Sequence, residues 1–390
     1  MMKKSDIVIV AALRTPFGKF GGKLKDLSPS TLGSMVIKEI CIRTGLPVNE
    51  INEVIMGNCI PSGHGQVPAR EAALKAGMSS EIACLTINRA CISALHAVTL
   101  GTLKINSGCS DVIIAGGMES MSNTPYMLLQ GRWGVKMGDI PIFDGVTNAL
   151  KCPFTGKFMG EYADEAALKY NISRIEQDEW AYRSQQNHAK AVNEGKFKDE
   201  IIPVSEEGLL LSDEFPKPDT TLETLSKLRP AFTKNGTVTA GNAPGLNDGA
   251  AVVLIMSLDK AKALGLKPLA RIINVAEASS APEEISIVPA LALQKALKNA
   301  NLDINNMDLI EINEAFAAVT LISAALLKID KNKINVNGGS VAIGHPVGAT
   351  GARILMTLIY ELKRRGGEYG AAAICGAGAT GEAIIVQNII

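Results

Sequence analysis

The sequence predicts an α/β protein made of two duplicated halves with a long segment inserted between them. Short apolar runs alternate with longer stretches of helical periodicity, which is typical of strands connected by helices. Glycine occurs 37 times in 390 residues, more often than a helical bundle needs. Two segments also recur: "EINEVIMGN", ending at Asn58, is similar to "NNMDLIEIN", ending at Asn313, and "SDVIIAGGMES" from Ser110 is similar to "YGAAAICGAGA" from Tyr369.

The first predicted elements alternate between strand and helix. "IVIVAAL" is a continuous apolar run that ends at Arg14 and Pro16, as a buried strand entering a loop does. The stretch from Ser30 to Gly45 has apolar residues at helical spacing, and "INEVIMGN" after it predicts a second strand. This alternation predicts a largely parallel sheet.

The segment 121–245 departs from this rhythm and is predicted to be an inserted loop domain. It is richer in Pro, Asp, Lys and aromatic residues than the halves and contains one clear helix. Ser173 is the predicted N-cap of that helix, Glu176 completes a capping box, and Gly195 stops it. We expect the insert to cover the ligand.

Composition excludes several classes of protein. Lys and Arg together number 39, as do Asp and Glu, which argues against nucleic acid or a membrane as the partner. The seven cysteines are an odd number without a C-x-x-C pair, which indicates free thiols in a reducing compartment rather than disulfides or zinc. No stretch is typical of a signal peptide or a membrane span, so we expect a cytoplasmic protein.

Cys91 is the first candidate for chemistry, because it stands where the apolar run "LTIN" gives way to a helix in "INRACISALHAV". A helix N-terminus stabilises a thiolate, so Cys91 is a candidate nucleophile. The alternative is a buried structural cysteine. His96 is a poor base for it, since five residues along a helix place the two side chains about 140° apart.

His345 and Cys375 are the next candidates. His345 lies in the glycine-rich stretch "NGGSVAIGHPVGATGAR", before a helix predicted to begin immediately afterwards, where an imidazole could act as a base; a structural histidine is the alternative. Cys375 ends the strand "GAAAIC", at the edge where α/β sites form. The following "GAGATG" is not a dinucleotide motif, because "EAIIVQNII" after it predicts a strand rather than a helix.

Asn313, with Glu314, follows a predicted strand in "EINEAFAAV". Its amide could hold a water or donate to an oxyanion. The alternative is an ordinary helix N-cap.

Together these segments resemble the thiolase family, the acetyl-CoA C-acyltransferases, over essentially the whole chain. The matching motifs follow the order of that family: "RTPFG", "NRACISA", "AGGMESMS", "GTVTAGNAPGLNDGAA", "NEAFA", "GHPVGATGAR" and the late cysteine. The resemblance implies a thiolase fold of two duplicated five-layered α-β-α-β-α halves. We expect residues 1–120 and 246–270 to form the N-terminal half, 121–245 the insert, and 271–390 the C-terminal half.

The resemblance also implies a ping-pong reaction of fatty acid metabolism, either the thiolytic cleavage of a 3-oxoacyl-CoA or the reverse condensation. Cys91 would form the acyl-enzyme after activation by His345. Asn313, through a water, and His345 would bind the enolate oxygen, and Cys375 would be the second acid and base. The N–H groups of Cys91 and Ala377 would form another oxyanion hole.

Coenzyme A is implied as substrate and product, with no permanently bound cofactor and no metal. Homodimers or homotetramers are expected, and a second type of subunit stays open. The residues expected to bind substrate and CoA are Phe158, Met159, Arg229, Phe232, Ala243, Pro244 and Phe316.

Several of these positions differ from acetoacetyl-CoA-specific members of the family. Phe158 replaces a usual His, and Pro244 replaces a usual Ser. Ala377 replaces a usual Gly, and its β-carbon restricts the backbone angle φ at this position. The substitutions predict an acyl substrate other than acetoacetyl-CoA. Two alternatives stay open: a condensing enzyme of the ketoacyl synthase type, which usually has a second histidine in place of Cys375, and a thiolase-like subunit that binds acyl-CoA but needs a partner.

Overall fold

The strands and helices are described for residues 6–204 and 210–389 of a computed structural model; the predicted ends of the halves at 1 and 390 lie outside them. The strands are Ile7–Arg14 (β1), Gly18–Lys19 (β2), Glu53–Gly57 (β3), Ala83–Ile87 (β4), Val112–Ser120 (β5), Tyr126–Met127 (β6), Phe143–Asp144 (β7), Asn247–Ser257 (β8), Ala270–Ser279 (β9), Leu309–Ile312 (β10), Tyr369–Gly376 (β11) and Thr380–Asn388 (β12). The α-helices are Pro29–Thr44 (α1), Pro68–Lys75 (α2), Ser93–Asn106 (α3), Gly145–Ala149 (α4), Met159–Lys169 (α5), Arg174–Asn193 (α6), Leu222–Ser226 (α7), Leu258–Ala263 (α8), Val288–Ala300 (α9), Ala317–Leu327 (α10), Ser340–Ile343 (α11) and Thr350–Arg365 (α12).

One mixed sheet runs through both halves in the order β10-β11-β12-β9-β1-β8-β5-β3-β4, with β2 paired to β8. The parallel pairs are β3 with β4, β3 with β5, and β10 with β11. The other pairs in this sheet are antiparallel. The prediction of a largely parallel sheet is therefore wrong. A strand buried on both faces is a continuous apolar run whichever way it points, so the sequence pattern carries no information about direction.

The internal repeat is visible in the strand pairing. In the first half β3 lies parallel to β5, which pairs antiparallel with β8. In the second half β10 lies parallel to β11, which pairs antiparallel with β12. The turn between β11 and β12 takes only residues 377–379, whereas the equivalent connection from β5 to β8 contains the whole insert. The insert therefore occupies the position that a tight turn occupies in the second half, between two neighbouring strands of the sheet.

The helices form three layers. These layers alternate with the two halves of the sheet, which gives five layers in all. α1 and α2 cover the outer face of the first half, and α9 and α10 lie on the outer side of the second half. α3 and α12 pack against each other between the halves, and α12 contacts strands of both. α12 is buried along most of its length, which agrees with a helix enclosed on two sides.

The predicted helix boundaries are confirmed in the insert and in α1. Ser173 caps α6 by accepting from the N–H of Glu176, whose carboxylate accepts from the Ser173 N–H, and Gly195 follows with φ +69°. α1 ends before Gly45, at φ +65°. The helix after His345 begins later than predicted, at Thr350. A turn in which the Pro346 carbonyl accepts from the N–H of Ala349 precedes it.

No helix among residues 6–204 and 210–389 is long and apolar enough to cross a membrane.

Buried ion pairs attach the insert to β1. The Arg14 guanidinium, which is fully buried, donates from Nε to Glu200 at 2.7 Å and from Nη1 to Asp213 at 2.6 Å. Both carboxylates belong to the chain between β5 and β8. Burial removes the hydration of the guanidinium and of both carboxylates. The ion pairs between them are therefore the main interaction that offsets this loss.

Arg14→Ala is expected to lower the free energy of unfolding by about 3 kcal/mol, since it leaves two buried carboxylates without their cation. Urea denaturation monitored by circular dichroism measures this loss. Lys227→Ala, which removes an exposed i,i+4 pair with Glu223, is the control and should cost less than about 0.5 kcal/mol. Equal effects of the two substitutions would contradict the structural importance of the buried pairs.

Candidate active site

A cavity of about 340 Å³ lies where the two halves and the insert meet. Cys91, His345, Cys375 and Ala377 all line it. They come from the turn before α3, the loop before α12 and the end of β11, so the structure brings together residues up to 286 positions apart in the chain. Asn313 is the one predicted catalytic residue that does not line the cavity directly.

Cys91 lies in a strand-turn-helix elbow between β4 and α3. Ala90, just before it, has φ +50°, a left-handed conformation that is costly for a residue with a β-carbon. Hydrogen bonds hold the strained residue: Asn88 Oδ1 accepts from the Ala90 N–H at 3.0 Å, and the Ala90 carbonyl accepts from Ser93 Oγ at 2.6 Å and Cys59 Sγ at 2.8 Å. The elbow presents the Cys91 side chain to the cavity.

Burial raises the pKa of the Cys91 thiol to about 12, with a smaller contribution from the negative charge of Glu119. A hydrogen bond from the backbone N–H of Cys91 acts in the opposite direction but is the weaker effect. The raised pKa favours a thiol over the thiolate that the helix N-terminus is expected to stabilise, so the thiolate stays a prediction. A Cys91 thiol would need a base at the moment of attack.

The protonation of the His345 ring follows from its neighbours. The Thr350 hydroxyl donates to the Pro346 carbonyl at 2.9 Å, so its oxygen accepts from Nδ1 of His345 at 2.7 Å. Nδ1 therefore carries the proton, and Nε2 has its lone pair free, without a partner among the described residues. Burial, with the positive charge of Arg353, lowers the pKa of His345 to about 3, so the ring is neutral.

Cys375 is buried at the end of β11, and burial raises the pKa of its thiol. A charge on Cys91 would raise it further, because the two sulfurs are close enough to interact. In the turn to β12, the left-handed residues are Gly378 at φ +79° and Ala379 at φ +54°. Ala377 is outside that region, so its β-carbon adds no backbone strain beside the cavity.

Asn313 lies just behind the cavity wall. Its N–H donates to the Ala373 carbonyl at 2.9 Å, which continues the β10–β11 ladder by one residue. Its Oδ1 accepts from Ser340 Oγ at 2.6 Å, and its Nδ2 is buried without a partner among the described residues. The N-cap alternative does not hold, because α10 begins at Ala317 after Phe316, four residues beyond Asn313.

Five of the seven residues expected to bind substrate and CoA line the cavity: Met159, Phe232, Ala243, Pro244 and Phe316. The other two do not. The Phe158 ring packs 6.2 Å from that of Phe232 and has the Lys151 ammonium 4.7 Å from its centre. Arg229 is exposed on the insert.

Sequence reasoning missed two residues of the site, Glu119 and Cys59. Glu119 is completely buried and accepts from Asn58 Nδ2 at 2.6 Å and from the N–H groups of Cys59 and Ile60. Burial raises the pKa of Glu119 to about 7. The repeat contained a signal for Cys59 alone, because Asn58 and Cys59 align with Asn313 and Glu314.

His96 does not line the cavity, so it is not placed to act as a base for Cys91. It belongs to a cluster with Glu277 and Glu382, whose possible ligand atoms lie within 4.8 Å of one another. Arg89 already supplies the cation of this cluster, with Nη1 2.8 Å from Glu277 and 2.9 Å from Nδ1 of His96. The cluster is an ion-pair network between the halves.

Two thiols, a neutral imidazole with a free nitrogen and a buried amide around one apolar cavity define the site of an acyl-transferring enzyme. The comparisons agree: the family model "Thiolase, N-terminal domain" matches residues 7–259 and "Thiolase, C-terminal domain" matches 266–388. The chain belongs to the thiolase family and is an acyltransferase. Neither the ketoacyl synthase alternative nor the binding-subunit alternative is favoured.

Individual relatives match along nearly their full length. An acetyl-CoA acetyltransferase of Chromobacterium violaceum is 46% identical over 98% of this chain and 100% of its own. The crystal structure of the Bacillus anthracis acetyl-CoA acetyltransferase has a TM-score of 0.96 at 43% identity, covering 99% of each chain. Human mitochondrial 3-ketoacyl-CoA thiolase in complex with CoA has a TM-score of 0.97 at 40% identity, covering 99% of this chain and 98% of its own.

Alkylation of Cys91 by iodoacetamide is expected to accelerate about tenfold per pH unit from pH 7 to pH 10. The raised pKa of the thiol means that the reactive thiolate keeps increasing over this range, and neutral His345 does not form an ion pair with it. Mass spectrometry of the Cys91 peptide measures the rate, with the exposed Cys109 in the same sample as reference. A plateau below pH 8 would show a thiolate–imidazolium pair instead.

Proposed function

We propose that the protein is a CoA-dependent 3-oxoacyl-CoA thiolase that works through an acyl-enzyme on Cys91. The observation that carries the proposal is the free Nε2 of His345 in the same cavity as two neutral thiols. Because the His345 imidazole is neutral before substrate binds, it can accept the proton of the Cys91 thiol when the sulfur attacks the substrate. One thiol, Cys91, can then carry the acyl group while the other, Cys375, transfers the proton.

In the first half-reaction, Cys91 attacks the 3-keto carbon while its proton passes to Nε2 of His345. The bond between C2 and C3 breaks, the acyl group remains on Cys91 as a thioester, and acetyl-CoA leaves as its enolate. Cys375 donates its proton to C2 of the enolate. In the second half-reaction, CoA gives its thiol proton to the Cys375 thiolate and attacks the thioester. Cys91 leaves and recovers its proton from His345.

Negative charge on oxygen is stabilised at two places in this proposal. The N–H groups of Cys91 and Ala377 face the tetrahedral intermediate on Cys91. Protonated Nε2 of His345 and the amide of Asn313, through a water, face the enolate oxygen. The location of Asn313 behind the wall agrees with a water between it and the substrate.

We further propose that the acyl group is an aliphatic chain longer than acetyl. None of the lining residues among the described part of the chain is charged, so a second carboxylate on the substrate would have no partner. Beside Cys91, the wall is a cluster of apolar side chains that offers an aliphatic chain more apolar surface than an acetyl group can cover: Ile60, Met121, Leu150, Leu246 and Val347. CoA would enter along Met159, Phe232 and Phe316.

The setting of the enzyme is part of the same proposal. Trp133 and Met137 of the insert are 89% and 93% exposed, which supports association into a homodimer or homotetramer. The unpaired cysteines support a reducing compartment such as the cytoplasm, and the reaction supports a place in fatty acid metabolism.

Cys375→Ala is expected to accept one acetyl group on Cys91 from acetyl-CoA yet lose thiolysis by at least about a hundredfold, because only the second acid and base is removed. Cys91→Ser should lose both reactions. Mass spectrometry of the Cys91 peptide, with a spectrophotometric thiolysis assay, distinguishes the two variants. Acylation of Cys91→Ser, or its absence in Cys375→Ala, would contradict the assigned roles.

Thiolysis of an eight-carbon 3-oxoacyl-CoA is expected to have a higher kcat/KM than thiolysis of acetoacetyl-CoA, because each buried methylene contributes about 0.8 kcal/mol. Leu150→Ala should lower kcat/KM for the longer substrate about tenfold and change that for acetoacetyl-CoA little. Leu168→Ala, on the exposed face of the insert, is the matched control and should change neither. A preference for acetoacetyl-CoA would contradict the proposed chain length.

A further inference from the structure

The orientation of the Asn313 amide decides whether it can act on an oxyanion. An amide presents a donor on one side and an acceptor on the other, and the two have nearly the same shape. Only Nδ2 can donate to an oxyanion or to a water that holds one. Something beyond the amide itself must therefore select one orientation.

Ser340 and Arg353 provide that selection. The Arg353 guanidinium can only donate, and its Nη2 lies 2.8 Å from Ser340 Oγ. The Ser340 oxygen therefore accepts, and its own hydrogen points to Asn313 Oδ1 at 2.6 Å. The three side chains form a chain of donors with a single direction, and each of them is completely buried.

The opposite orientation of Asn313 carries a penalty. Its Nδ2 would face the Ser340 hydroxyl, whose oxygen is already engaged by Arg353 and whose hydrogen would meet another donor. One buried polar group would lose its partner, which costs about 1–3 kcal/mol. In the observed orientation both hydrogens of Nδ2 are left over, without a partner among the described residues.

Arg353 has a buried carboxylate beside it. It projects from α12 and has Nη1 3.5 Å from Glu311 Oε2 on β10, two residues before Asn313. The guanidinium is completely buried and its Nε and Nη1 have no hydrogen-bond partner among the described residues, so the bond from Nη2 to Ser340 is its one side-chain hydrogen bond there. The series of hydrogen bonds from Arg353 through Ser340 to Asn313 therefore begins at a group that can donate but not accept, which sets the direction of the whole series.

We propose that Ser340 and Arg353 are positioning residues, which set the Asn313 amide so that Nδ2 donates toward the enolate oxygen. The inference rests on the proposed function, since it assumes that Asn313 serves carbon–carbon bond cleavage. Neither residue lines the cavity, so both act through Asn313. Transfer of an acetyl group between CoA molecules forms no enolate, so it does not depend on the orientation of the Asn313 amide.

The test compares two reactions of Ser340→Ala. Thiolysis of a 3-oxoacyl-CoA is expected to lose kcat by about tenfold to a hundredfold with little change in KM, because an amide donor is misdirected in the transition state. Exchange of acetyl between acetyl-CoA and isotope-labelled CoA should stay within about twofold. Ser323→Ala, which removes another buried hydroxyl, is the matched control and should change neither reaction.

A double-mutant cycle separates positioning from a merely structural role. If Ser340 acts through Asn313, then Asn313→Ala alone should reduce thiolysis as much as Asn313→Ala with Ser340→Ala. Additive losses, equal losses in exchange and thiolysis, or unchanged thiolysis in Ser340→Ala would each overturn the inference. If Ser340→Ala does not fold, Ser340→Cys keeps a side chain of similar size but replaces the hydroxyl with a weak hydrogen-bond donor.

Failure of the proposed function has a different signature. A wild-type protein that performs exchange but no thiolysis of any 3-oxoacyl-CoA would overturn the function itself. Full thiolysis by Asn313→Ala would overturn the role of Asn313 and, with it, any role for its positioning residues. Loss of thiolysis with acetyl exchange retained, in both Ser340→Ala and Asn313→Ala, supports the proposed function and the positioning role together.

Discussion

The active cavity depends on a backbone contact between the halves that only glycine permits. A β-carbon on Gly117, in β5, would lie 1.8 Å from the carbonyl oxygen of Gly348, and one on Gly57, in β3, would lie 2.9 Å from the same atom. Gly348 follows His345 by three residues. Because these strands can approach that loop so closely, the imidazole of one half reaches the cavity that contains the nucleophile of the other.

Burial of the reactive groups at this junction accounts for the direction of their pKa shifts. Burial keeps Cys91 and Cys375 as thiols and His345 as a neutral imidazole, because a charge there would lose its hydration. Glu119 stays in the same region only with several N–H donors around it.

Local sequence patterns predicted much of the fold and the type of each reactive residue. The capping box at Ser173, the strand that ends at Arg14 and the place of Cys91 before α3 depend on neighbours a few positions away. The antiparallel pairing of β11 with β12 had a sequence signal, the short glycine-rich "GAGATG" between two predicted strands. The direction of β8 relative to β5 was not predictable, since it depends on the fold of the insert between them. The late start of α12 at Thr350 likewise depends on a turn that no periodicity reveals.

The sequence by itself determined the repeat, the insert and the chemical groups available to the site. Only the tertiary structure decided what those groups can do. The free nitrogen of His345, the direction of the Asn313 amide and the anchoring of Asn58 by Glu119 depend on contacts across 5, 27 and 61 positions. The longer of these contacts join strands, loops and helices from different parts of the chain. Hydrogen bonds are directional, so roles of donor and acceptor become fixed only when such partners meet in three dimensions.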